Sequence, residues 1–162
     1  MTKIMFVCHG NICRSTMAEF VMKELVRKAG MADRFLIDSS ATSREEIGND
    51  THYGTKQKLR EMGIPFERRA ATQLTKSDCE DYDYIIGMDY ANIRNILRIG
   101  GEAVQNKVHL LLEFAPPSYK GGVSTMYGSI KEIDDPWYTG NFDATYNDVF
   151  AGCQGLLAHF QQ

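Results

Sequence analysis

The sequence predicts an α/β fold of three layers, with a four-stranded parallel sheet flanked by helices on both faces. Three observations carry this. Four short apolar runs have strand character, at residues 4–7, 35–37, 84–88 and 108–112. Segments with apolar residues at helical spacing alternate with them, and alternation of β with α argues for parallel pairing. The first run is apolar without interruption, as expected of a strand covered on both faces.

Each element can be justified in order. Ile4-Met5-Phe6-Val7 ends at Cys8. Met17, Val21, Met22, Leu25, Val26 and Ala29 then recur at helical spacing until Gly30 stops the helix. Phe35-Leu36-Ile37 forms the second strand, followed by a polar stretch from Ser39 to Asp50. A helix is predicted over about 51–62, closed by Gly63 and Pro65. After the third strand, Asp89 is placed to cap a helix containing Ile93, Ile96 and Leu97. Beyond the fourth strand a long loop carries Pro116-Pro117 and Gly121-Gly122. Tyr146, Val149, Phe150, Cys153, Leu156, Leu157 and Phe160 mark one face of a final helix.

The 162 residues suit a single domain, 1–162, able to bury a core without disulfides or metal. Apolar residues make up 43% and charged residues 24%, and 18 basic against 21 acidic side chains leave a net charge of −3. No basic block offers a footprint for nucleic acid. No run reaches the ~18 apolar residues of a membrane span, and the apolar run before Cys8 is too short for a signal-peptide core. Cys8, Cys13, Cys79 and Cys153 are therefore expected as free thiols in a reducing, cytoplasmic setting. A monomer is the default expectation.

The chemistry is concentrated where the first strand gives way to the first helix, in Cys8-His9-Gly10-Asn11-Ile12-Cys13-Arg14-Ser15. In parallel sheets, ligands bind beyond the C-terminal ends of the strands. A tight loop there can turn its backbone N–H groups inward as a nest for an anion, and the following helix adds its positive end. Gly10 and Asn11 tolerate the unusual backbone angles a nest needs. Arg14 can grip two phosphate oxygens with its planar fork. A Cys8 thiolate facing that positive field is the expected nucleophile, attacking phosphorus to give a cysteinyl-phosphate. Ser15 is placed to donate a hydrogen bond to the sulfur. The spacing lacks the lysine of the nucleotide-binding loop, so ATP or GTP binding is not indicated.

A phosphate ester also needs a proton for its leaving oxygen. Asp135, in Asp134-Asp135-Pro136-Trp137-Tyr138, is the candidate acid. Pro136 fixes the backbone beside it. Trp137 and Tyr138 are expected to shield the carboxyl from water and to flank a substrate ring. By itself, Asp-Asp-Pro is also an ordinary turn sequence.

With these residues in hand, the chain resembles the low-molecular-weight protein tyrosine phosphatases over nearly its whole length. The carriers are the Val7-to-Ser15 signature continued by Met17-Ala18-Glu19, Asp38-Ser39, Ala41-Thr42-Ser43, Gly63-Ile64-Pro65, Gln73-Leu74-Thr75, the Tyr84-to-Asp89 segment and Asp135-Pro136. The resemblance implies hydrolysis of phosphotyrosine in protein substrates through a cysteinyl-phosphate, with no metal and no cofactor. It implies Cys8 as nucleophile, Arg14 as phosphate clamp, and Asp135 as acid and then base for water. It also implies that His9, Gly10, Asn11, Ile12, Cys13 and Ser15 surround the substrate phosphate, that Ser39 braces the loop through Asn11, and that Cys13 can form a reversible disulfide with the nucleophile.

The chain departs from the family pattern in places. Thr16 replaces the proline that usually opens the first helix. His9, at the rim, replaces an apolar residue, and Glu45 stands where relatives often carry an aromatic that lines the cleft. Arg69 occupies the place of a histidine, which puts the usual hydrogen bond to Ser39 in question. Three rival readings are weaker. A thiol-coupled arsenate reductase would need a relay pair of cysteines, and only Cys79 lies mid-chain. A protein arginine phosphatase tends to carry Thr where Ile12 presents a dry wall to a ring. A silent phosphoprotein-binding module would have no need of both Cys8 and Asp135. Tyr127 and Tyr138 are tyrosines open to regulatory phosphorylation.

Overall fold

A computed structural model of the chain describes residues 1–126 and 128–162; Tyr127 lies outside the described residues. The predicted three-layer architecture is present. A four-stranded sheet has the order β2-β1-β3-β4, all parallel, formed by β1 (Thr2–Cys8), β2 (Phe35–Ala41), β3 (Tyr84–Gly87) and β4 (Val108–Leu110). Strand β1 is central, with Cys8 paired to Ala41 on one side and Val7 to Gly87 on the other.

Both faces of β1 are buried because alternate side chains feed two separate cores. Ile4, Phe6 and Cys8, with Ile86 of β3, pack against α1 (Arg14–Lys28) and α6 (Phe142–Gln161) through Met17, Val21, Val149 and Cys153. Met5, Val7 and Ile85 pack the other way, against Leu74, Cys79, Ile96 and Val104. Those residues come from α3 (Lys76–Asp81), α4 (Tyr90–Gly100) and the segments beside them. Each fully buried aliphatic side chain of this kind contributes roughly 1.5–3 kcal/mol relative to exposure.

The helix stops read from the sequence hold. Gly30 and Gly63 adopt φ of 71° and 69°. At each, two backbone bonds close the helix end: Gly30 N–H to Arg27 O and Met31 N–H to Val26 O after α1, Gly63 N–H to Arg60 O and Ile64 N–H to Leu59 O after α2 (Tyr53–Glu61). This left-handed closure is the usual one for helices that end in glycine. Asp89 caps α4 as expected, in a reciprocal box with Asn92.

Three features differ from expectation. Helix α3 was not anticipated; it is six residues long and owes its existence to a Thr75–Asp78 capping box, a signal two polar residues carry without an apolar stripe. The fourth strand is shorter than residues 108–112, because Leu111–Glu113 turns into a 3-10 helix that buries Leu111 under α6. Helix α6 can pass that close because Gly155 faces the chain there: a Cβ would lie 1.7 Å from Phe114 O. Within the long loop, β5 (Val123–Thr125) and β6 (Gly128–Glu132) pair antiparallel and lead into α5 (Pro136–Thr139).

Candidate active site

The loop after β1 is held from outside by its carbonyls. Thr42 N–H donates to Cys8 O, Ser43 N–H and Oγ–H to His9 O, His52 N–H to Ile12 O, and Thr55 Oγ1–H to Cys13 O. With the carbonyl face engaged outward, the amide face turns toward Cys8, as the Asn11 N–H shows at 3.3 Å from Cys8 Sγ. An inward ring of N–H groups at the start of a helix is an anion nest. The turn needs one left-handed residue, and it is Asn11, at φ 61°. Gly10, expected to share that task, is not in the positive-φ region; what it provides is space beside Glu46, whose Cγ would sit 3.3 Å from an added Cβ.

Asn11 is also the hub of a buried network that ends on the sulfur. Its Nδ2 donates to Ser15 Oγ at 2.8 Å and to Ser39 Oγ at 2.9 Å. Its Oδ1 accepts from Arg69 Nη1 at 2.9 Å and from Thr72 N at 3.2 Å, which fixes the amide orientation. Ser15 Oγ already accepts from Asn11, so its own proton is free to point at Cys8 Sγ, 3.1 Å away. Ser39 Oγ–H donates to the buried Glu19 carboxylate, which Lys23 and Arg69 flank.

Arg69 therefore settles what its departure from the family pattern put in question. It does not bond the Ser39 hydroxyl; it reaches the Ser39 carbonyl at 3.2 Å and grips Asn11 instead. Replacing it with Met leaves Asn11 Oδ1 short of a charged donor and Glu19 short of a counterion. A charge-assisted hydrogen bond contributes roughly 1.5–3 kcal/mol, so the Arg69→Met variant is expected to lose about that much stability in a urea melt. Its aryl phosphate turnover is expected to fall about 10-fold as the Ser15 proton loses its fixed aim.

Arg14 is 2% exposed and points to the opposite side of the site. Nη1 donates to Asp89 Oδ2 at 2.7 Å and to Ile133 O at 2.8 Å. Nη2 has a long contact, 3.4 Å, to Asp135 Oδ2, and among the described residues Nε has no hydrogen-bond partner. One edge of the guanidinium is anchored and the other is open. Burial opposes the Arg14 charge, but Cys8, Asp89 and Asp135 outweigh it and hold the group above its ordinary range. Asp89, read from the sequence as a helix cap only, thus has a second task. One carboxyl oxygen caps α4 and the other fixes Arg14. No spacing rule links positions 14 and 89, so only the fold reveals it.

Asp135 caps the short α5, accepting from Trp137 N–H at 3.1 Å. A cavity of about 90 Å3 opens on Cys8 and is walled by His9, Ile12, Cys13, Glu46, Asp135 and the two aromatics. Trp137 and Tyr138 line it as expected, but at 55% and 81% exposure they stand at its rim and do not shield the Asp135 carboxyl, whose closest cation is Arg14. His9 pairs with Glu45 across the mouth at 2.8 Å. Ile12 is buried against Cys13, Ala71 and Phe142, a dry wall as anticipated. Burial first, then the neighbouring Cys8, pushes the Cys13 thiol far above its usual range, so Cys13 stays protonated. Glu19, Arg69, Asp89 and Thr72 support the site and were not singled out as doing so from the sequence.

The sequence model of the family described as low molecular weight phosphotyrosine protein phosphatase matches residues 3–162. A low molecular weight phosphotyrosine protein phosphatase of Schizosaccharomyces pombe is 40% identical, covering 100% of this chain and 96% of its own. YfkJ of Bacillus subtilis, a low molecular weight protein-tyrosine-phosphatase, is 36% identical over 100% of this chain and 97% of its own. The crystal structure of YfkJ superimposes with a TM-score of 0.87 at 35% identity, covering 99% and 95% of the two chains. That of SP-PTP, a low molecular weight protein tyrosine phosphatase from Streptococcus pyogenes, gives 0.83 at 37% identity, covering 100% and 95%.

Proposed function

The chain belongs to the low molecular weight phosphotyrosine protein phosphatase family, and from that premise we propose that it hydrolyses phosphotyrosine and aryl phosphate monoesters through a cysteinyl-phosphate on Cys8. The observation that carries this reading is the convergence of three groups on one cavity: the inward amide face around Cys8 Sγ, the open edge of Arg14, and Asp135.

In this mechanism the phosphate dianion enters the nest and is held by loop N–H groups and the free edge of Arg14. The Cys8 thiolate attacks phosphorus as the ester P–O bond breaks, and Asp135 gives its proton to the departing oxygen. Water then attacks the phosphocysteine, Asp135 takes its proton, and the P–S bond breaks with the electrons returning to sulfur. The Ser15 hydroxyl stabilises the thiolate at both ends of the cycle. The substrate is a phosphoprotein. The phosphotyrosyl ring passes between Ile12 and the Trp137–Tyr138 rim, with His9, Gly10 and Cys13 completing the phosphate surround. We take residues 1–162 as one catalytic domain, monomeric and cytoplasmic, that requires neither metal nor cofactor. Among the described residues no helix is long and apolar enough to cross a membrane.

Two features weigh against the rival chemistries. The buried Ile12 offers a phosphoarginine guanidinium nothing to bond. Cys79 is fully buried in the core opposite α1 and Cys153 is sealed beneath α1, so neither offers the relay thiol an arsenate reductase needs. The test is turnover of p-nitrophenyl phosphate, a phosphotyrosine peptide, a phosphoarginine peptide, and arsenate with a thiol donor, all with EDTA present. Hydrolysis of the two aryl phosphates in preference to the others supports the assignment. Preference for phosphoarginine, turnover of arsenate alone, or activity that EDTA abolishes would overturn it.

The paired thiols give a redox expectation. Peroxide oxidises the Cys8 thiolate to a sulfenic acid with release of hydroxide, and the protonated Cys13 thiol condenses with it, giving a disulfide and water. Inactivation by peroxide is therefore expected to be reversed by dithiothreitol, and to become irreversible in Cys13→Ser. Peptide mapping that finds only sulfinic Cys8 in the wild type would contradict it.

A further inference from the structure

The acid-bearing segment is weakly anchored by its own residues. Helix α5 is four residues long, and of its side chains only Pro136 is buried. Arg14 holds it from one side, through Ile133 O and the long contact to Asp135. On the other side stands His52, a residue outside the mechanism above. Its ring meets the Trp137 ring edge-on, with centroids 5.6 Å apart and planes at 80°. The same ring is stacked between Phe142, at the start of α6, and Tyr53. Its main-chain N–H donates to Ile12 O in the phosphate loop, and its Nδ1 accepts from Gly54 N–H as the cap of α2. His52 is thus bonded to the loop that carries the nucleophile and in contact with the segment that carries the acid.

We propose that His52 is a positioning residue that seats the acid segment against the phosphate loop by holding Trp137 on its ring. The contact reaches the carboxyl through one further bond, since Trp137 N–H donates to Asp135 Oδ1. A shift of the Trp137 backbone therefore moves the carboxylate. The ring is held in a fixed state for this task. Nδ1 accepts from Gly54, which places the proton of the neutral ring on Nε2. Burial favours that neutral form over the opposing pull of the Glu46 and Asp135 carboxylates. The ring cannot turn over without losing the α2 cap.

This inference rests on Asp135 as the acid, and the experiment separates the two. Trp137 is the only tryptophan in the chain, so intrinsic fluorescence reports the seating directly, without turnover. Two variants divide the roles of His52. His52→Asn keeps a capping side chain and removes the ring; His52→Phe keeps a ring and removes the cap. In His52→Asn the Trp137 emission is expected to shift to the red, as its edge contact is lost to water. kcat/KM on phosphotyrosine is expected to fall roughly 10-fold, but less than about 3-fold on p-nitrophenyl phosphate, whose leaving group scarcely needs a proton. The inhibition constant for inorganic phosphate stays unchanged. His52→Phe is expected to melt at lower temperature yet keep both the emission and the ratio of the two rates. Unchanged emission in His52→Asn, or equal losses on both esters, would overturn the proposal. A wild type inactive on both esters would count against the phosphatase mechanism, and the emission alone would then decide the seating.

Discussion

In the Cys8→Ser protein, hydrolysis of every aryl phosphate falls below detection while inorganic phosphate still binds. The two halves of this expectation come from different atoms. Binding belongs to the amide face, set by outward carbonyl bonds from Thr42, Ser43, His52 and Thr55, and to the open edge of Arg14; none involves the sulfur. Turnover belongs to the sulfur itself. A serine hydroxyl at that position is neutral, and Ser15 and the Asn11 N–H offer it only hydrogen bonds, with no base to take its proton. Deleting a nucleophile that acts in concert with its surroundings costs on the order of 10⁶ in rate. Phosphate affinity, read by calorimetry, is expected within a few-fold of wild type. Retained turnover would remove the covalent mechanism, and loss of phosphate binding would place the anion site elsewhere.

Asp135→Asn carries the second large effect, and its sign depends on the leaving group. Asparagine keeps an oxygen to accept the Trp137 N–H, so α5 retains its cap and the segment its shape. What is lost is the proton. A positioned acid contributes about 10²–10⁴ in rate, and the full loss is expected on phosphotyrosine, whose oxygen leaves poorly without protonation. On p-nitrophenyl phosphate the loss is expected to be no more than about a tenth as large. Removing a carboxylate 3.4 Å from Arg14 also frees that cation for the dianion, so inorganic phosphate is expected to inhibit the variant more strongly. A kcat/KM ratio between the two esters equal to that of wild type would argue against the acid role.

The fold was legible because its signals are local. Apolar runs, helical spacing and glycine stops each lie within about fifteen residues, and all of them hold in β1, α1, α2 and α4. The loop from Cys8 to Ser15 was legible for the same reason, since its chemistry is contiguous. What stayed hidden is what the fold brings together from a distance. Asp89 gave a correct capping signal that masked its hold on Arg14, 75 residues away. Arg69 looked like the loss of a family contact, and instead makes a different one to Asn11. His52 read only as part of a helix start, because nothing in its neighbourhood announces Trp137, 85 positions later. The one local expectation that failed, aromatic shielding of Asp135, did so because adjacency in sequence to Pro136 says nothing of which way a four-residue helix turns its rings.

The central claim is that phosphate passes through Cys8. Asp135→Asn mixed with p-nitrophenyl phosphate tests it most directly, because the first step needs little acid there while hydrolysis of the intermediate still needs the base. Acid quench within the first turnover, followed by mass spectrometry of the digest, is predicted to find the phosphoryl group on the peptide containing Cys8, together with a burst of nitrophenol equal to the enzyme. No burst and no modified Cys8, or a phosphoryl group on any other residue, would contradict it.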